Sequence, residues 1–372
     1  MDCAEWERTG DVVCGKIQRI VTQILKDING NRMPHVAAPL GEISPVYVEW
    51  KHNSFQRFTQ LCVVLKEVYW LVKLDKYATK RDLYYKYKEM FSDQRSLDRI
   101  VSAACNLLNA QRKELHILAS SKGLLAGDLT LRLGEEEELK CHKTTTVMLH
   151  NDDSLCNYLL EVENFLGIVV PNFPDDITEV ISEAKGILVV EKDAVFQKIL
   201  DSKFLDLMKK DQQLPMILAT GRGYPDVNSR KVVKLLSERL RIPVLCLTDA
   251  DVHGIEIMLT YRFGPRISSQ ETQDLDIRTL IWLGLLPSHL STVDPLKCCP
   301  LSEPELRKLR TLMNRECVRW NSDILDEVTN QLYKNLIALR DFGKKAEIEA
   351  LSDDYLINSY LKERLIAYLA NN

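Results

Sequence analysis

Val244-Leu245-Cys246-Leu247-Thr248-Asp249-Ala250-Asp251-Val252-His253-Gly254 reads as a strand running into two carboxylates and then a helix. The strand part is a short apolar run, as expected where a parallel strand is covered on both faces. The pattern occurs twice upstream. Gly186-Ile187-Leu188-Val189-Val190 ends in Glu191, with a helix from about Asp193. Met216-Ile217-Leu218-Ala219-Thr220 ends in Gly221-Arg222-Gly223-Tyr224-Pro225, before a helix through Arg230 to Arg239. Strand and helix alternate from Ala184 onward, which predicts a parallel α/β sheet. Ligands of such sheets gather at the carboxyl ends of the strands, where Glu191, Asp249 and Asp251 fall. Carboxylates on neighbouring strand ends repel one another unless a cation neutralises them. Hard oxygen donors with few other ligands suit Mg²⁺. The alternative is that these acids cap the helices that follow them.

Upstream of this region, Ala78-Thr79-Lys80-Arg81-Asp82-Leu83-Tyr84-Tyr85-Lys86-Tyr87-Lys88-Glu89-Met90-Phe91 gathers three tyrosines and four basic residues on one short helix. Thr79 is its expected N-cap, with Asp82 three residues on. A tyrosine hydroxyl beside an arginine is a candidate nucleophile for phosphate, because the guanidinium stabilises both phenolate and phosphoryl oxygens. The alternative is a helix whose rings pack while its cations stay solvated.

This helix lies second in a series of three. Phe58, Leu61, Leu65, Val68, Tyr69 and Val72 form the stripe of the first. Leu97, Ile100, Val101, Ala104, Cys105 and Leu108 form that of the third. His116-Ile117-Leu118-Ala119-Ser120 and Leu129-Thr130-Leu131 then read as two strands of a hairpin, with Ser121-Lys122-Gly123 and Gly127 shaping the loop. Three helices and a hairpin is the order of a winged helix. Charge supports a phosphate-binding face here. The 372-residue chain has a net charge of −4, yet from Lys51 to Arg132 there are 15 Lys and Arg against 8 Asp and Glu.

Residues 1–50 form an N-terminal extension: a short amphipathic helix over Lys16 to Ile28, a stop at Asn29-Gly30, and a connector marked by Pro34, Pro39 and Pro45. Its apolar stripe needs a docking partner, either the body of the chain or another subunit. Residues 51–150 are then the winged-helix domain, 151–183 a turn-rich linker, and 184–372 the α/β domain with a helical C-terminal extension. Glu135 to Glu138 is an acidic run expected at a wing or hairpin tip. The length favours more than one core. No run approaches the ~20 apolar residues of a membrane span, and residues 1–30 show no signal-peptide pattern, so an intracellular protein without membrane association is expected. The ten cysteines show neither a CxxC pair nor zinc spacing. Cys298-Cys299 and Cys141-His142 either bind a metal or are incidental thiols.

Glu191 on one strand and Asp249-Ala250-Asp251 on another resemble the Toprim domain of topoisomerases, primases and some nucleases. With the tyrosine helix, Val190-Glu191-Lys192-Asp193, Gly221-Arg222-Gly223-Tyr224-Pro225-Asp226, Trp282-Leu283-Gly284-Leu285-Leu286-Pro287-Ser288 and Lys345-Ala346-Glu347-Ile348-Glu349-Ala350-Leu351, the chain is similar to the A subunit of DNA topoisomerase VI. It resembles more closely that subunit's eukaryotic relatives, which make meiotic double-strand breaks. The resemblance runs from about Phe58 to Leu351. It implies an α/β plus α+β protein, a winged-helix (CAP-like) domain followed by a Toprim domain, acting in the nucleus.

By matched position, the resemblance implies that Tyr85 attacks a DNA phosphodiester and stays joined to the 5′ end. Arg81 contacts the scissile phosphate, Glu191, Asp249 and Asp251 hold Mg²⁺, and Lys122 and Tyr224 lie near DNA. It also implies a homodimer on double-stranded DNA with composite active sites, a B-type subunit that binds nucleotide, and accessory meiotic proteins. The chain itself carries no P-loop. Val252 stands where many relatives have proline after the D-x-D, which predicts a less rigid loop at Asp251. The segment expected to meet the B-type subunit is 1–50. Three other readings compete: a true topoisomerase VI A subunit that reseals its cuts, a non-catalytic winged-helix DNA binder, and a Toprim nuclease or primase.

Overall fold

The computed structural model describes residues 3–37, 47–51, 54–118, 121–134, 137–142, 166–264, 275–315, 318 and 327–370. Pro39, Pro45, Glu135, Glu136, Asn151 to Asp153, Cys156 and Cys317 lie outside this set. The chain divides into two compact units, residues 1–120 and 121–372.

In the first unit, α1 (Cys3–Asn29) is followed by β1 (His35–Ala37), β2 (Tyr47–Glu49), α2 (Phe55–Lys73), β3 (Ala78–Thr79), α3 (Lys80–Lys86), α4 (Gln94–Leu108) and β4 (Ile117–Leu118). The stripes expected on α2 and α4 are buried: Phe58, Leu61, Leu65 and Val68 meet Leu97, Ile100, Val101, Ala104 and Leu108 in one core. α1 is longer than its Lys16–Ile28 pattern. Val13, Ile17 and Ile20 enter that same core, and the Lys16 ammonium donates to the Leu108 carbonyl at 2.8 Å. The body of the chain therefore takes up only part of the expected stripe, Ile17 and Ile20 with Ile24 packed beside them. Val12 on one flank of that stripe, and Val21, Leu25 and Ile28 on the other, stay exposed.

Among the described residues, the strands expected to form a hairpin between residues 116 and 131 pair elsewhere. Ile117 and Leu118 pair in parallel with Ala78 and Thr79, across the base of the tyrosine helix. Leu124–Gly127 (β5) belongs to the large sheet of the second unit, and Thr130–Leu133 (β6) to a three-stranded sheet with β7 (Glu137–Lys140) and β9 (Ile177–Ile181), β8 (Ile168–Val169) lying between them in sequence. β5 instead finds a five-residue partner, Met216–Thr220, whose edge groups would otherwise stay unpaired. Glu137 and Glu138, from the acidic run, sit in β7 opposite Leu133 and Arg132.

The second unit continues with β10 (Gly186–Val190), α5 (Asp193–Asp201), α6 (Phe204–Asp211), β11 (Met216–Thr220), α7 (Val227–Leu240), β12 (Val244–Leu247), α8 (Val252–Phe263) and β13 (Ile281–Gly284). Its sheet has the order β13-β12-β10-β11-β5-β8. The four strands β13, β12, β10 and β11 run parallel, as their apolar sequences require, while β5 and β8 extend the edge antiparallel. Every residue of β10, β11 and β12 is buried. Each such Val, Leu or Ile contributes about 1.5–3 kcal/mol, so the sheet is a stiff platform for what leaves its strand ends. β14 (Cys299–Pro300) pairs with β15 (Lys344–Lys345), with α9 (Glu303–Met313) and α10 (Glu327–Phe342) between them; α11 (Asp353–Tyr355), a π-helical stretch at Leu356–Leu361 and α12 (Lys362–Leu369) close the unit. Among the described residues, no helix is long and apolar enough to cross a membrane.

Candidate active site

In the first unit the start of α3 is fixed by a capping box. The Thr79 hydroxyl accepts from the Asp82 amide at 3.1 Å, and the Asp82 carboxylate accepts from the Thr79 amide at 3.0 Å. The Thr79 hydroxyl, which also donates to that carboxylate at 2.7 Å, and the Thr79 amide together hold the Asp82 carboxyl below its ordinary range. From this start, helical spacing sends the three tyrosines to different surroundings. Tyr84 is half-buried against the core. The Tyr87 hydroxyl donates to Glu67 on α2, and burial together with that carboxylate pushes it up to about 12. Tyr85 is 56% exposed, and the Arg81 guanidinium, one turn earlier, sits 5.8 Å from its ring centre. Of the three phenols, Tyr85 is the exposed one. Glu67 also receives the Lys86 ammonium at 2.7 Å. Burial alone would raise Glu67, but the bonds from Lys86 and Tyr87 outweigh it and keep the carboxylate charged.

In the second unit, the parallel strands bring Glu191, Asp249 and Asp251 to neighbouring ends. Glu191 directly follows β10, and its carboxylate accepts from the Asp249 amide at 2.9 Å. The Asp249 carboxylate accepts from the Ile348 amide at 2.9 Å and lies 3.1 Å from the Lys192 ammonium. Asp251 caps α8, accepting from the amides of His253 at 2.8 Å and Gly254 at 2.7 Å. Those two bonds hold the Asp251 carboxylate at the start of α8, one residue before Val252. Among the described residues, no three His, Cys, Asp or Glu side chains converge as a ready-made metal cage.

The donor chemistry nonetheless fits a divalent cation. Glu191 and Asp249 are both buried; burial, then the negative charge of Asp249, pushes Glu191 up to about 8. Burial likewise pushes Asp249 up to about 6, against the bond from the Ile348 amide and the Lys192 charge. A divalent cation held by these carboxylates would offset both the burial and the repulsion between them. Gly254 makes the geometry possible: a Cβ there would meet the Asp249 carbonyl oxygen at 2.3 Å and its amide nitrogen at 2.9 Å. Gly254→Ala is expected to lower stability by about 2–3 kcal/mol in thermal or urea melts, because neither contact is a side chain that can swing away.

Lys122 and Tyr224 also lie in the second unit. The Lys122 amide donates to Asp226 at 3.0 Å and its ammonium to the Arg222 carbonyl at 3.3 Å, which ties it to the loop that carries Tyr224. That loop turns through Arg222 at φ 51 and Gly223 at φ 86, and the Gly223 amide donates to the Glu191 carbonyl at 2.8 Å. The Tyr224 hydroxyl donates to Glu256 and accepts from Lys308 at 2.8 Å, with His253 Nδ1 at 3.1 Å. The expected residues therefore fall in two sets: Arg81 and Tyr85 on the first unit, and Lys122, Glu191, Tyr224, Asp249 and Asp251 on the second. Sequence reasoning passed over Lys192, His253 and Lys308 and the segment Glu347–Glu349. Lys192, His253 and that segment stand inside the strings that carry the family resemblance, but only the fold reveals what they touch.

An α/β sheet with acidic residues at adjacent parallel strand ends places the second unit in the Toprim class. Comparison with known proteins agrees: residues 186–365 match the family of the Toprim domain of Spo11 and the topoisomerase 6 A subunit, and residues 56–117 match "Type IIB DNA topoisomerase". "Meiotic recombination protein SPO11" of Homo sapiens is 36% identical over 320 residues, 84% of this chain and 72% of that protein. The Mus musculus protein of the same name is 34% identical over 318 residues, with the same coverage. The DNA topoisomerase 6 A subunit of Arabidopsis thaliana is 27% identical over 319 residues, 84% of this chain and 66% of that protein. The chain belongs to the family of Spo11 proteins and topoisomerase 6 A subunits.

Proposed function

We propose that the protein is a topoisomerase-like transesterase that breaks both strands of DNA to start meiotic recombination. The observation that carries the reading is the segregation of the three phenols on α3, which leaves Tyr85 exposed beneath Arg81 in a chain of this family. The Tyr85 oxygen attacks a backbone phosphorus. The bond to the 3′ oxygen breaks, the phenolic proton is lost, and the departing oxygen takes one up. A phosphotyrosyl ester remains at the 5′ end, so one ester replaces another and the step needs no nucleotide hydrolysis. A phenol of pKa ~10 is a weak nucleophile at neutral pH, and Arg81 favours both the phenolate and the charge developing on phosphate.

Glu191, Asp249 and Asp251 would hold Mg²⁺, which when bound supplies further charge stabilisation at the phosphate oxygens. Lys122 and Tyr224 position the DNA. Two protomers, each lending its tyrosine to the other's Toprim domain, cut the two strands; the site of action is chromosomal DNA in the nucleus. Higher identity to the meiotic proteins than to the plant topoisomerase favours breakage over resealing.

The test is a cleavage assay on supercoiled plasmid with Mg²⁺ and a B-type partner, with protease digestion before the ends are recovered. Peptide-blocked 5′ ends are expected. Free ends would mean a hydrolytic nuclease, and efficient relaxation without accumulated breaks would mean a topoisomerase.

The B-type partner meets the N-terminal segment, on the outer face of α1 where Val21, Leu25 and Ile28 stand exposed with Trp70 nearby. Val21→Glu and Leu25→Glu are each expected to weaken partner capture about tenfold or more while leaving the melting temperature unchanged. Capture that survives both changes would assign the partner to another surface.

A further inference from the structure

Lys192 touches three carboxylates at once. Its ammonium lies 3.1 Å from Asp249, 2.9 Å from Glu347 and 3.0 Å from Glu349. The three pairs are unequal. Glu347 is 71% exposed, so solvent screens that contact, whereas the Asp249 carboxylate is 6% exposed and its interaction with the ammonium is felt strongly. Between the two glutamates, the Ile348 amide donates to the other oxygen of Asp249. Lys192, Asp249 and residues 347–349 thus form a closed ring, drawn together from the end of β10, the end of β12 and a segment 98 residues beyond Asp249 that pairs with Ala250 through Ala346.

We infer that Lys192 is the resident counter-charge of the carboxylate cluster: it holds Asp249 and the 347–349 segment in place without a divalent ion, and its charge opposes that ion's binding. Lys192 is a positioning residue, and the inference rests on the reading of Glu191, Asp249 and Asp251 as metal ligands. A monovalent charge fixed beside one of the ligands keeps the cluster formed, so the ion enters a finished site rather than assembling one. The same charge makes its binding weaker and reversible.

The test compares the full-length wild type with Lys192→Met, which keeps the aliphatic stem, and Lys192→Arg, which keeps the charge. Mg²⁺ is titrated by calorimetry, and thermal melts are run in chelator and in Mg²⁺. Lys192→Met is expected to bind Mg²⁺ about tenfold more tightly. It is also expected to melt lower in chelator and to gain more from Mg²⁺ than wild type does. Lys192→Arg should behave as wild type. Wild-type binding with no gain in Lys192→Met overturns the inference alone, whereas absence of Mg²⁺ binding in all three chains overturns the metal reading beneath it. If Lys192→Met does not fold, Lys192→Met/Asp249→Asn decides: recovery of the fold in chelator supports the counter-charge, and failure to recover it refutes it.

Discussion

Tyr85→Phe is expected to remove covalent capture of DNA altogether, a fall on the order of 10⁴-fold or more in protein-blocked 5′ ends. The substitution deletes one oxygen from an exposed ring, so melting temperature and DNA binding should stay at wild-type values. Tyr84→Phe is the informative companion. Its ring is half-buried against the α2–α4 core, and cleavage should persist within a few-fold. Arg81→Ala should fall between the two, at about 10²–10³-fold, the usual cost of removing one group that stabilises transition-state charge. Radiolabelled ends separated before and after protease treatment measure all three. Loss of blocked ends in Tyr84→Phe with retention in Tyr85→Phe would move the nucleophile by one residue and end the present assignment.

The second large effect falls on the carboxylates, and it has two signs. Asp249→Asn and Glu191→Gln are each expected to abolish Mg²⁺-dependent cleavage, because each removes a charged oxygen donor from a site with few others. Without metal, Glu191→Gln should stabilise the protein. Burial and Asp249 push Glu191 up to about 8, from an ordinary value of 4.5. The folded chain holds that proton more tightly than the unfolded chain, so its contribution is full below about pH 4.5 and is lost as pH rises through about 8. Melts in chelator should therefore show wild-type stability declining from weakly acidic to weakly alkaline pH. Glu191→Gln should flatten the decline and exceed wild type by at least about 1 kcal/mol at the alkaline end. Added Mg²⁺ should flatten it in wild type alone. A wild-type protein whose stability in chelator rises over this range would show that Glu191 is not strained by burial.

The parts that carry this chemistry were legible for local reasons. Apolar runs ending in Glu191 and in Asp249-Ala250-Asp251 mark parallel strands, and Thr79 with Asp82 marks a helix start, because strand burial and capping each leave their signature within a few residues. What stayed hidden depends on partners far along the chain. Leu124-Leu125-Ala126 is too short to show a period between glycines, and only the free edge of β11 makes it a strand. That is one reason why the described residues do not show the hairpin expected from His116 to Leu131. Likewise, no local pattern tells that the Ile348 amide will bind Asp249, 99 residues earlier, or that Lys192 will turn toward Glu347 and Glu349 rather than water.

The helix bearing Tyr85 is fastened at both ends, by the capping box at Thr79 and by Lys86 and Tyr87 on Glu67. Glu67 belongs to α2, whose Phe58, Leu61 and Leu65 are set in the core of the first unit. A DNA end esterified to Tyr85 would thus hang from a braced strut rather than a tether. Tension along the chromosome would pass through α3 into that core and load the unit as a whole, not the phosphotyrosine linkage alone.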